Sequence, residues 1–185
     1  GFGVVLEGSQ AGGRSGTALI GNIDVNVDGR SDMVIGSLFF GAGRTPRPGS
    51  INVLYGRSAD NPWPAVQRRI DLRDNLGTGD EGFQIIGDVA SSALGSRLAA
   101  TGDFTGDGFD DFVMGSPSAS ASDGIGNSAG FLIPGRVSGP GEGYGSGLNL
   151  SLEEERVFVH RLLGDVAEDQ AGESVAGVGD VNGAG

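Results

Sequence analysis

Two nine-residue stretches carry one polar template, Asp24-Val-Asn-Val-Asp-Gly-Arg-Ser-Asp32 and Asp103-Phe-Thr-Gly-Asp-Gly-Phe-Asp-Asp111, and they begin 79 residues apart. Each sets an oxygen-bearing side chain at its first, third, fifth and ninth positions and Gly at its sixth. A short loop closing on a hard cation turns alternate side chains inward, adds a backbone carbonyl at the seventh position, and bends sharply where Gly is tolerated. The chemistry that this spacing suits is Ca2+ binding. A third copy starts at Asp180-Val-Asn-Gly, but its fifth position is Ala184 and its ninth lies past Gly185. Only Asp180 and Asn182 remain there, so that loop is not expected to hold Ca2+ unaided.

Simpler explanations account for less. Asp28-Gly29 and Asp107-Gly108 alone read as hairpin turns, which leaves the oxygens at the first, third and ninth positions of both copies unexplained. EF-hand loops share Asp-x-Asn-x-Asp-Gly, but they close with an acid at the twelfth position and are flanked by helices. Here the closing Asp is ninth and the flanking residues read as strands.

Those strands recur in register with the loops. A Gly-rich strand is expected before each loop, at Thr17-Ala-Leu-Ile-Gly, Arg97-Leu-Ala-Ala-Thr-Gly and Ser174-Val-Ala-Gly-Val-Gly. After each complete loop follow Met33-Val-Ile-Gly-Ser and Phe112-Val-Met-Gly-Ser-Pro, then Ser50–Gly56 and Ala129–Gly135, then Gly82–Gly87 and Val157–Gly164. Gly87-Asp-Val-Ala matches Gly164-Asp-Val-Ala, and Asp103 matches Asp180, so the repeat here is 77 residues. Short apolar runs bounded by Gly, Ser, Asn and Asp read as strand and turn, and a helix is conceivable only near Leu150 to Glu155. The class is all-β. Four short strands per repeat indicate blades of a β-propeller, four-stranded antiparallel meanders that bury their faces by stacking. Small residues on the first strand (Ala99, Ala100, Ala176, Gly177) suit a crowded inner position.

The length supports one domain, but a propeller needs at least about four blades, and the 185 residues hold about two and a half repeats. The expected division is 1–8 as the last strand of a preceding blade, 9–87 and 88–164 as blades each with one loop, and 165–185 as the start of a third. Val4 to Leu6 fits that last strand, and equally Phe2-Gly-Val-Val-Leu-Glu-Gly fits a degenerate copy continuing from Asp180-Val-Asn-Gly-Ala-Gly. Either way, open blade edges call for further blades or other subunits.

Composition narrows the function. The formal net charge is −12, from 24 acidic and 12 basic residues, and two bound Ca2+ would bring it to −8. No basic stripe is present to neutralise phosphates, which argues against nucleic acid as a partner and against an anionic membrane face. No segment approaches the roughly 20 apolar residues of a membrane span. There is no Cys, hence no disulfide framework and no Cys-based zinc site. The chain opens Gly-Phe-Gly without a charged-then-apolar leader, as a processed or excised piece does. Weak calcium loops suit an extracellular setting, where binding at about 10⁻⁴ to 10⁻³ M is enough.

The pattern Ser-Val-Ala-Gly-Val-Gly-Asp-Val-Asn-Gly, with Asp-Gly-Phe-Asp-Asp-Phe-Val-Met-Gly-Ser-Pro, resembles the FG-GAP repeat of integrin α subunits and many secreted bacterial proteins. The resemblance covers nearly the whole chain and is nearest to the bacterial type, through Ile70-Asp-Leu and Leu148-Asn-Leu. It implies a β-propeller whose loops bind Ca2+. The implied ligands are Asp24, Asn26, Asp28, the carbonyl of Arg30 and Asp32, then Asp103, Thr105, Asp107, the carbonyl of Phe109 and Asp111. Thr105 departs from the usual Asn or Asp and weakens one ligand. The function implied is an extracellular, non-enzymatic adhesion or interaction scaffold for protein or glycan. Alternatives are the non-catalytic part of a secreted hydrolase, as in some phospholipases, and an accessory subunit of a larger assembly.

Other residues carry less. His160, the only His, reads as satisfied or edge-exposed rather than as a catalytic base, and no triad spacing accompanies it. Glu153 to Glu155 read as a solvated turn. Asn149-Leu-Ser151 fits a glycosylation acceptor, a pattern common by chance. Gly43–Gly49 and Ala59–Ala65 hold four of the seven Pro and the only Trp; they read either as partner-contacting loops or, equally, as a Trp packed over a blade edge.

Overall fold

A computed structural model describes residues 5–8, 10–40, 48–60, 62, 69–72, 81–87, 92–117, 129–137, 144, 147–150, 159–165 and 169–179. Every described element is a strand: β1 (Val5–Glu7), β2 (Ser15–Ile23), β3 (Asp32–Ser37), β4 (Ser50–Leu54), β5 (Arg69–Asp71), β6 (Gly82–Ile86), β7 (Arg97–Gly102), β8 (Asp111–Ser116), β9 (Ala129–Ile133), β10 (Gly147–Asn149) and β11 (His160–Leu163). Two meanders result. One sheet runs β10-β6-β4-β3-β2 and the other β11-β9-β8-β7, with β2 to β4 and β6 mutually antiparallel, as are β7 to β9 and β11.

Period-two alternation divides the side chains between two cores. On β3 and β4, Val34, Ile51 and Val53 point into a core shared with Phe112, Met114, Phe131 and Ile133 of the second sheet. Their neighbours Ile35 and Leu54 point the other way, onto Ile70 and Leu72, with Leu6 and Met33 packed alongside. Both faces of the first sheet are thereby covered, which is why β3 and β4 are buried nearly throughout, the polar Ser37, Ser50 and Asn52 included. The first strands are different. Ala99 is half-buried and Ala100 exposed on β7, yet a Cβ on Gly177 would lie 1.7 Å from the Ala100 carbonyl oxygen, so the crowding expected of these small residues appears as a backbone approach.

The Ile70-Asp-Leu and Leu148-Asn-Leu segments have a role that the sequence did not disclose. Each adds a parallel strand outside an earlier one: β5 pairs Ile70 with Leu6 of β1, and β10 pairs Leu148 with Ile85 of β6. The hydrogen bonds from Leu72 N–H to the Glu7 carbonyl and from Leu150 N–H to the Ile86 carbonyl, 3.0 Å each, extend both pairs identically. Thus β1 stands to β5 as β6 stands to β10.

The turn before the first strand occurs three times. Arg14, Ala93 and Gln170 all have positive φ (53°, 58° and 58°), and each is followed two residues later by a positive-φ Gly, at Gly16, Gly95 and Gly172. The latter two glycines seat one repeat on another. A Cβ on Gly36 of β3 would lie 2.0 Å from the Gly95 carbonyl oxygen, and one on Gly115 of β8 would lie 2.0 Å from that of Gly172. The expected strand at Ser174–Gly179 does not form, although Gly177 lies against the Ala100 backbone. In the other repeats that strand pairs with the residues following the loop, and none of the described residues supplies that partner.

The possible helix near Leu150 to Glu155 falls largely on residues outside those described, as do Glu153 to Glu155, Ser151, Trp63, most of Gly43–Gly49 and the third loop from Asp180. His160 is exposed on β11.

Gly36 and Gly115 adopt ordinary φ, so their requirement for Gly is purely steric. Gly36→Ala or Gly115→Ala is expected to cost about 1–3 kcal/mol through forced backbone shifts. Gly21→Ala, where a Cβ meets nothing within 4 Å, should stay within about 0.5 kcal/mol. Urea unfolding of the three variants makes the comparison.

Candidate metal-binding loops

The two loops, residues 24–32 and 103–111, link β2 to β3 and β7 to β8 and share most of their hydrogen bonds. At the first position, Asp24 accepts from the N–H groups of Asp28 (3.1 Å) and Gly29 (2.9 Å), while Asp103 accepts from Asp107 (3.0 Å) and Gly108 (2.9 Å). At the fifth, Asp28 accepts from Arg30 N–H and Asp107 from Phe109 N–H, at 2.9 and 3.1 Å. The sixth-position glycines have the positive φ expected of them, 79° at Gly29 and 91° at Gly108.

The fourth position is also left-handed, a requirement that sequence reading missed. Gly106 meets it freely at φ 75°, whereas Val27 occupies it at φ 55°, an unfavourable region for a β-branched residue. The one available signal was Gly106 itself, since the first copy carries Val.

The ninth-position carboxylates are built in deeply. Asp32 is 2% exposed and Asp111 0%. Asp32 accepts from Val25 N–H (2.9 Å) inside its loop and from Gly56 N–H (2.7 Å) just past the end of β4. Asp111 accepts from Thr105 N–H and Gly135 N–H, both at 2.8 Å. Gly56 and Gly135 were absent from the expected site, although their 79-residue separation matches that of the loops.

The remaining positions lie nearer the surface. Asn26 is buried and donates to Asp28 Oδ2 at 3.3 Å, Asp24 is half-buried, and Asp28, Arg30, Asp103, Thr105 and Asp107 are exposed. Phe109 is half-buried. Arg30 lies 3.2 Å from Asp28 in an ion pair open to solvent, which contributes little.

The electrostatics are unfavourable to the buried acids. Burial raises Asp32 from 3.8 to about 6; the Gly56 and Val25 N–H bonds oppose the rise, and the charges of Asp28 and Asp24 add to it. Asp111 is raised by burial as well, with Asp107 contributing in the same direction. Among the described residues, no three His, Asp or Glu side chains converge as around an ion; the carboxylates rest on backbone N–H groups. The donors are nevertheless oxygen throughout, and the charge crowding at Asp32 and Asp111 is what a cation offsets. The donor chemistry therefore fits a hard divalent cation.

Beside the first loop, an open cleft of about 430 Å³ is lined by Leu6, Met33, Leu54 and Ile70 together with Asn22 and Asp32. It lies between the β1–β5 pair and the first sheet.

Residues 94–131 match the family model of the FG-GAP repeat. The match takes in β7, the second loop and β8, and ends in β9. A phosphatidylinositol-glycan-specific phospholipase D of Mus musculus is 33% identical over 115 residues, which is 62% of this chain and 12% of that protein. The chain thus spans only a small part of the length of that relative. Together with the stacked antiparallel meanders, the match defines an all-β, partial β-propeller carrying an FG-GAP repeat, a structural module typical of extracellular proteins. Among the described residues no helix is long and apolar enough to cross a membrane.

Asp32→Ala and Asp111→Ala each remove a buried acceptor from two N–H groups. In chelator, each is expected to lose about 1–3 kcal/mol in urea unfolding, even after relief of the buried charge. Asp28→Ala, exposed, should change far less under the same conditions.

Proposed function

We propose that the chain is a calcium-binding, non-catalytic propeller segment of an extracellular protein, with its loops offering a surface for adhesion or for protein or glycan binding. The observation that carries this reading is the recurrence of one loop in two repeats, with the same donors at the first, fifth and ninth positions and largely the same internal bonds. Asp24, Asn26, Asp28, the Arg30 carbonyl and Asp32 would hold one Ca2+. Asp103, Thr105, Asp107, the Phe109 carbonyl and Asp111 would hold the other. Bound Ca2+ supplies neutralisation of clustered carboxylates, and the protein gains stability by mass action because the unfolded chain lacks the site.

A second reading is favoured by the similarity to a phospholipase D: the segment is the non-catalytic propeller part of a larger hydrolase. Both readings expect no turnover from this chain. They differ on partners. Calcium-dependent retention on an array of ectodomains and glycans supports the adhesion reading, and silence there with binding to a hydrolase domain supports the other.

Calcium should raise the melting temperature and chelator should reverse the rise, with Asp28→Ala and Asp107→Ala each removing one of two binding events in calorimetry. Melting unchanged by Ca2+ would remove the proposal. The increment should also depend on pH. A raised carboxylate means that the folded chain keeps a proton the unfolded chain releases, so the contribution of Asp32 to stability falls as pH rises from 3.8 through about 6. Ca2+ offsets that loss, and its stabilising increment should be larger at pH 7.5 than at about pH 5.

A further inference from the structure

We propose that Asp110, at the eighth position of the second loop, is a positioning residue for the first loop, so that the two loops fill with Ca2+ as a coupled pair. The inference rests on the calcium reading above and adds to it a role outside the nine-position template, because the first loop has Ser31 at the same place.

The geometry is reciprocal and crosses from one repeat to the other. Asp24 N–H donates to Asp110 Oδ2 at 2.9 Å, and Asp110 N–H donates to the Asp24 carbonyl at 3.3 Å. The partners are 86 residues apart in sequence. Asp24 is the residue whose carboxylate organises the Asp28 and Gly29 amides. Fixing its backbone from both sides therefore fixes where that carboxylate starts.

A second route joins the two buried carboxylates. Asp111 accepts from Gly135 N–H; the adjacent Arg136 N–H donates to the Val25 carbonyl at 2.7 Å; and Val25 N–H donates to Asp32. Three hydrogen bonds and one residue step thus connect the ninth position of one loop to that of the other. The consequence is visible in burial. Val25, gripped by the second repeat, is 2% exposed, whereas Phe104 at the same place in the second loop is 65% exposed.

A cation that orders the second loop orders Asp110 and the strand end at Gly135, and through them the first two residues of the first loop. Part of the ordering cost of the first site is then met before its own ion arrives, which is positive coupling between sites. The bond to Asp110 is charge-assisted and so stronger than an amide pair.

The test is calorimetric titration with Ca2+ alone, with hydrogen exchange at the Asp24 amide. In an Asp107→Ala background, where only the first loop fills, adding Asp110→Ala should weaken binding about tenfold, and Asp110→Asn, which keeps one acceptor oxygen, should restore most of it. In an Asp28→Ala background, where only the second loop fills, Asp110→Ala should change affinity by no more than about twofold. There, Ca2+ should also raise protection of the Asp24 amide only while Asp110 is present. Equal weakening of both loops, or an unchanged first loop, overturns the proposal while leaving calcium binding intact. Failure of the unsubstituted chain to take up Ca2+ at all removes the calcium reading and this inference with it.

Discussion

Backbone-to-backbone contact between successive repeats is the constraint from which the rest of the structure follows. Gly36 meets Gly95, and Gly115 meets Gly172, at distances that leave no room for a Cβ. Because the approach is that close, strands two and three of one repeat lie against the next, and Val34, Ile51 and Val53 can share a core with Phe112, Met114 and Phe131. An isolated meander would leave one of its apolar faces in water. The parallel additions of β5 to β1 and β10 to β6 tie the outer edges in the same sense, covering edge strands that would otherwise stay open to pairing.

The loops inherit their geometry from that stack. Asp32 and Asp111 are buried where a strand leaves its loop, and each reaches the N–H of a glycine just past β4 or β9. The carboxylate thus joins loop, second strand and third strand at one point. The arrangement is costly, since burial pushes both acids upward and neighbouring acids add to it. A divalent cation is the natural counterpart of such a cluster, and the oxygen-only donor set favours a hard one. On the calcium reading proposed above, this joint stiffens when an ion neutralises it.

That role is compatible with either setting for the segment. A surface built on ion-stiffened loops would suit recognition of a protein or glycan, and the 115 residues aligned with a mouse phospholipase D amount to 12% of that protein. On either proposed reading, these residues hold and present rather than catalyse.

Local spacing made much of this legible in the sequence. Donor alternation in Asp24–Asp32 and Asp103–Asp111, the glycines at the sixth position, and the order of four strands per repeat depend on residues near one another in the chain, and their repetition separates pattern from chance. What tertiary structure decided are contacts between distant residues with no local signature. Gly56 and Gly135 contribute only an N–H, which every residue but Pro possesses. Asp110 looked like one more loop acid until the fold brought it to Asp24, and Ile70-Asp-Leu became an edge strand only because β1 lay beside it. The fourth-position bend was hidden for a related reason, since Val27 is held there by the closed loop against its own preference. Sequence spacing fixes which atoms a loop can offer, and packing between repeats decides which of them meet.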